Sequence, residues 1–125
     1  GMEIEDVERA NPSPTNTAYM NHVLATASTG DVGQIAAALL PCPWVYHELG
    51  NHLQATGHPI YDTWSAFYRD GGMHESVRTW RQLVDQWAEH GSTPYRELME
   101  SAFLTSSRYE YLFWKMAYRM EEWPI

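Results

Sequence analysis

A chain of 125 residues with 6 Trp, 8 Tyr and 3 Phe holds enough aromatic bulk for one packed domain, and its length leaves little room for a second. A formal net charge of -8, from 16 acids against 8 Lys and Arg, excludes a phosphate-gripping face, so nucleic acid is not an expected partner. No apolar run nears the roughly 20 residues that span a bilayer, nothing resembles a signal peptide, and a lone cysteine closes no internal disulfide; the expectation is a cytoplasmic protein without membrane contact.

Gly1 ahead of Met2 reads as a tag-cleavage scar, and the acids of "MEIEDVERA" as a solvated tail or helix, giving an N-terminal tail over 1–13. "NPSPTN" (11–16) breaks the chain, and Thr15 or Asn16 is expected to cap a helix running to about Ser28. "STGD" ends that helix, and Asp31 caps a long stretch over 32–56. After the turn "TGHP" comes a short aromatic helix, "IYDTWSAFYRD". "GG" at 71–72 separates it from a helix over 73–90, where Val77, Trp80, Leu83, Val84 and Trp87 share a face opposite Arg78, Asp85 and Glu89. Thr93 as cap and Pro94 at the first helical position start the last helix, over 94–120. The periodicity is helical throughout, so 14–121 read as one all-α domain of about five helices, with 122–125 a C-terminal tail. So many rings in so short a chain predict an oligomer that buries the surplus.

Three features carry candidate chemistry. The first is "AALLPCPWVYHELG", in which Pro41 and Pro43 flank Cys42. Proline inside a helix removes a hydrogen bond and clashes with the preceding turn, costing about 3 kcal/mol. The carbonyls of Ala37 and Leu39 would lose their usual partners, so the axis bends and aims the thiol into a cavity, or else the helix ends at Leu40 and restarts near Pro43. At about 100° per residue Cys42, Tyr46, Leu49 and Leu53 form one stripe, with a phenol one turn from the thiol. The second is Glu110, the only charge on a stripe with Phe103, Ser106, Phe113, Trp114 and Ala117. It is either an interface acid paired with Arg108 or Arg119, or a desolvated carboxyl suited to general acid work. The third is a set of phenols, Tyr19, Tyr46 and Tyr68, on apolar faces of three helices, where they pack a core or wall a pocket for a flat polar ring.

"HELGNH" is not a metal motif. His52 follows His47 by five positions, which rotates the imidazoles about 140° apart on a helix, so neither metal nor cofactor is expected.

Four segments, "PTNTAYMNHV", "AALLPCPWVYHELG", "HPIYDTWSAFY" and "SSRYEYLFWKMAYR", resemble in order and separation the C-terminal half of the TenA/thiaminase II family, from about Pro14 to Arg119. "LLPCPW" resembles the branch with an active-site cysteine. The resemblance implies a haem-oxygenase-like bundle without haem, usually a homotetramer, that hydrolyses aminomethyl-pyrimidine to hydroxymethyl-pyrimidine in thiamin salvage. By motif it implies Cys42 as the nucleophile and Glu110 as the carboxyl engaging a pyrimidine nitrogen. Tyr19, Tyr46 and Tyr68 match the tyrosines that line the site. Family members are about twice this length, and their other half supplies further helices and an aspartate on the pyrimidine to which nothing here aligns. The expected partners are therefore a small pyrimidine and further helices, from a second copy, a complementing N-terminal half or a longer chain. The alternative expectation is a TenA-like pyrimidine-binding or oligomerisation protein without turnover.

Overall fold

The computed structural model describes residues 3–125, so Gly1, the expected scar, and Met2 lie outside the described residues. Among the described residues seven helices follow one another: α1 (Ile4–Glu8), α2 (Pro14–Thr29), α3 (Val32–Leu39), α4 (Pro41–His52), α5 (Pro59–Arg69), α6 (His74–His90) and α7 (Thr93–Arg119). The expectation of about five becomes seven for two reasons. The acidic start forms the short α1, and the stretch expected as one helix over 32–56 is two, α3 and α4, meeting at Leu40.

That joint follows from proline geometry. Pro41 opens α4 and Pro43 falls in its first turn, where backbone N–H groups have no helical partner to lose. Leu40 keeps helical dihedrals (φ -58°, ψ -37°), donates to the Ala36 carbonyl and accepts from Trp44 N, so the chain turns without a loop. Of the two expectations for this segment, the helix that stops and restarts is the one observed. Helix α4 stops at His52 rather than near 56, because Asp62 in the first turn of α5 gathers Thr56 N, Thr56 Oγ1 and Gly57 N at 2.7, 3.0 and 2.9 Å.

Two caps shift by one to three residues from their expected places. Ser13, not Thr15 or Asn16, caps α2 by accepting from Asn16 N, and Ser92, not Thr93, caps α7 by accepting from Tyr95 N. In both, the serine precedes a proline in the first turn, the pairing that N-termini favour. Asp31 caps α3 as expected and also accepts from the Tyr95 hydroxyl at 2.6 Å, tying the start of α3 to that of α7.

The 27-residue α7 is the spine, with α2, α3 and α4 laid along it; α5 packs on α4, and α6 on α3 and α4. Ala36, Ala37 and Ala38 bring α3 close against its neighbours, all 2 % exposed or less. From α7, Met99, Ala102, Ser106 and Glu110 are buried, so a serine and a carboxylic acid hold positions in the core. No helix among the described residues is long and apolar enough to cross a membrane.

Gly50 sets the spacing of α4 and α5. A Cβ there would meet the Tyr68 carbonyl and, at 3.2 Å, the Tyr68 Cβ. Gly50→Ala is therefore expected to push α5 off α4 and destabilise the fold by about 2 kcal/mol, read as a lowered urea midpoint. An unchanged midpoint would show that α5 yields freely.

Candidate active site

Helices α2, α4 and α7 each contribute to one cleft of about 460 Å³, open on one side. Tyr19 comes from α2, Cys42 and Tyr46 from successive turns of α4, and Glu110 from the middle of α7. Four of the five expected site residues thus share a single hollow, although 91 positions separate Tyr19 from Glu110.

Glu110 is only 4 % exposed. It is not paired with Arg108 or Arg119; Tyr19 Oη donates to its Oε1 at 2.6 Å, a short charge-assisted bond that compensates the burial of an acid. Burial first, and then this bond and the Glu110 charge, push the Tyr19 phenol well above its ordinary range, so it remains a donor. Its ring lies flat against Tyr109, centroids 5.2 Å apart with 12° between planes, which fixes its aim.

Cys42 stands at the mouth. The residue is exposed, yet enough protein surrounds its sulfur that desolvation, followed by the charge and hydrogen bonding of Glu110 beside it, pushes the thiol up to about 11. The free cleft therefore holds a neutral thiol next to the buried acid. Tyr46 is raised by burial first, then by the charges of Cys42, Glu110 and Tyr68 in that order.

Tyr68 stands elsewhere. It does not line the hollow but stacks behind Tyr46, centroids 5.1 Å apart, while Trp114 touches Tyr46 at 5.9 Å and Trp64 touches Tyr68 at 5.0 Å. The phenol expected at the ligand supports a wall instead. The stripe expected along α4 also divides. Cys42 and Tyr46 face the cleft, whereas Leu49 and Leu53 face a separate apolar groove of about 500 Å³ with Trp64 and Trp114, which Glu110 reaches from its other side.

Asn16, Val23 and Phe113 also line the cleft, and Met20, Leu24 and Leu39 form its outer rim. As site residues of α2 the sequence pointed to Tyr19 alone, and to Asn16 only as a cap. Spacing was the available signal, since Asn16, Tyr19 and Val23 are three and four positions apart and share a helix face. His47 meets His74 edge to face, His52 bonds to the Glu48 carbonyl, and no group of three metal-ligating side chains occurs among the described residues.

An all-α bundle thus brings a thiol, a buried carboxyl and phenols together around one hollow. The TENA/THI-4/PQQC family model matches residues 1–120, and the chain belongs to that family. The match includes the acidic start, ahead of the Pro14 at which the resemblance was expected to begin. The chain is 40% identical to the aminopyrimidine aminohydrolase of Bacillus subtilis (strain 168) over 126 residues, covering 98% of this chain and 53% of that protein. It is 31% identical to the aminopyrimidine aminohydrolase of Helicobacter pylori over 119 residues, covering 92% and 55%. The solved TenA homologue protein from P. horikoshii OT3 superposes with a TM-score of 0.77 at 31% identity, covering 94% of this chain and 55% of that one. The fold is thus the haem-oxygenase-like bundle of that family. The chain spans about half the length of the curated relatives it matches.

Proposed function

We propose that this chain supplies the thiol and carboxyl of an aminopyrimidine aminohydrolase that converts aminomethyl-pyrimidine to hydroxymethyl-pyrimidine in thiamin salvage. The observation that carries the reading is the meeting of Cys42, Glu110, Tyr19 and Tyr46 in one hollow sized for a single heterocycle. The named activity of the relatives supports it. The proposed compartment is the cytoplasm, where a free thiol stays reduced.

Chemistry follows from the neutral thiol beside the buried acid. With the ring bound, Glu110 takes the Cys42 proton and passes it to a ring nitrogen while the sulfur bonds to a ring carbon. One S–H bond breaks, and one N–H and one C–S bond form. The electron pair brought by sulfur then expels the protonated amine from the side methylene as ammonia. Water adds to that methylene and releases a proton; the C–S bond breaks, and the ring proton returns to the thiol through Glu110. Tyr19 holds Glu110 in place, and Tyr46 flanks the ring, backed by Tyr68.

The pocket is completed by other helices, which a second copy of this chain or a complementing half provides. Met20 and Leu24, at 51% and 60% exposure, leave the rim apolar and open, and Trp64, Tyr111 and Trp114 leave the adjoining groove likewise. A second reading, pyrimidine binding without turnover, is favoured by one observation: Glu110 is the sole carboxylate among the described residues lining the cleft. The experiment is ammonia release from aminomethyl-pyrimidine, by the chain alone across a concentration series and with a separately expressed N-terminal half of a relative. Ammonia from either mixture supports the hydrolase. A pyrimidine-raised melting temperature with no ammonia from both would leave the binding reading in its place.

A further inference from the structure

Among the described residues, the polar side chains lining the cleft are Asn16, Tyr19, Cys42, Tyr46 and Glu110. Tyr19 and Glu110 bond to each other at 2.6 Å, and the Cys42 thiol stays neutral beside the acid. Asn16 stands apart from that group. Its backbone N–H donates to Ser13 Oγ at 3.3 Å, while its carboxamide bonds to none of the described residues. No buried side-chain nitrogen or oxygen among those residues lacks a partner, so the amide is open to whatever enters the cleft. Asn16 shares a face of α2 with Tyr19 and Val23, and stands about 4.5 Å along the axis from the tyrosine.

Resting on the hydrolase reading above, we propose that Asn16 reads the edge of the pyrimidine on which a ring amine stands beside a ring nitrogen, and so leaves the other ring nitrogen for Glu110.

The start of α2 is anchored so that this amide is held in place. Just past α7, the Glu121 carboxylate accepts from Thr15 N and Thr15 Oγ1 at 2.8 and 3.0 Å, and Trp123 Nε1 donates to the Pro12 carbonyl at 2.9 Å. One turn beyond Asn16, Tyr19 is tied to Glu110. Helix α2 is therefore fastened to α7, or to the residues that follow it, on both sides of Asn16. The carboxamide and the Glu110 carboxyl keep one spacing across the hollow. Binding then orders little beyond the rotation of the amide itself.

A carboxamide offers a donor and an acceptor side by side in every protonation state of the site, and no other described side chain lining the cleft does so. A pyrimidine whose amine neighbours a ring nitrogen offers the reverse pair, the match by which asparagine reads adenine. The amide nitrogen donates to that ring nitrogen, and the amide oxygen accepts from the amine. With its lone pair occupied, that nitrogen is not free to take a proton. The ring's other nitrogen receives the one that Glu110 carries. No bond is made or broken at Asn16, which acts as a specificity-determining residue.

Equilibrium binding of 4-aminopyrimidine and 5-aminopyrimidine to the full chain tests the assignment. Neither probe carries a side methylene, so neither turns over, and only the first has its amine beside a ring nitrogen. The first ring is also the more basic, which favours it at Glu110 in wild type and variant alike. The change in the ratio of the two dissociation constants therefore reports Asn16. Asn16→Ala is expected to shrink the preference for 4-aminopyrimidine at least about fivefold; a smaller change, or no binding of either probe by the wild type, would overturn the assignment. The variant keeps the Ser13 cap, which uses the backbone N–H, and alanine is the best helix former. In the isotope-labelled wild type, the side-chain amide resonances of Asn16 should shift more with 4-aminopyrimidine than with its isomer, and equal or reversed shifts would also overturn it. Ammonia release by the wild type with an unchanged ratio would strike this assignment and leave the hydrolase reading. No ammonia, with the preference collapsed in Asn16→Ala, would do the converse.

Discussion

Cys42→Ser is expected to lower ammonia release at least about a thousandfold while pyrimidine binding changes by less than about threefold. Putting oxygen in place of sulfur shortens the side chain by only a fraction of an ångström, so Tyr19, Tyr46 and Glu110 still frame the ring. What it removes is the atom that can add to an electron-poor ring carbon. A serine hydroxyl is a far weaker acid than a thiol and needs a strong positioned base to do the same, and Glu110 already accepts a hydrogen bond from Tyr19. Loss in kcat with an unchanged dissociation constant is the pattern of an interaction made only on the reaction path. A serine variant retaining a tenth of the wild-type rate would mean that protonation of the ring by Glu110 suffices, with water attacking directly and no bond to sulfur.

The second large effect is on the reactivity of the thiol itself. Alkylation of Cys42 by a small neutral reagent is expected to rise about tenfold per pH unit from neutrality and to level only near pH 11. An unperturbed thiol levels about two units earlier. The sign follows from the causes: burial disfavours the thiolate, and the Glu110 carboxylate disfavours it further, so both favour the protonated form. Glu110→Gln removes the charge and leaves the burial. Its thiol should titrate lower than in the wild type and be alkylated several-fold faster at pH 8. Equal rates for the two proteins would mean that the carboxyl does not act on the sulfur, and the proton transfer proposed between them would fail. The same pair explains why Cys42 need not be a standing thiolate. In the proposed mechanism its proton is the one the ring nitrogen requires, and Glu110 lies beside both in the same cleft.

Helical periodicity made most of the cleft legible from sequence, because spacing assigns a residue to a face. Cys42 with Tyr46, and Ser106 with Glu110, are each one turn apart, and each pair points the way the spacing implies. Periodicity does not say how deep a face lies or what stands across it. Tyr68 occupies an apolar face of α5 as expected, but α5 packs on the outer side of α4, which puts its ring behind Tyr46. The division of the α4 stripe has a related cause. Leu53 is already extended (ψ 139°), and the residues below Tyr46 turn toward α5 and Trp114. The contact of His22 with Ser106 escaped notice for another reason. A histidine within "TAYMNHV" names no partner until α2 is laid on α7, and that partner lies 84 positions away. The caps at Ser13 and Ser92, by contrast, were readable, since each precedes a proline in the first turn.

A crystal structure of the chain with aminomethyl-pyrimidine, using Cys42→Ser to stop turnover, bears most directly on the account. The ring is expected between Tyr19 and Tyr46, with a ring nitrogen about 3 Å from a Glu110 oxygen and the residue-42 side chain about 3.5 Å from a ring carbon. A pyrimidine held on another face, or in the cleft with its ring nitrogens turned away from Glu110, would contradict it.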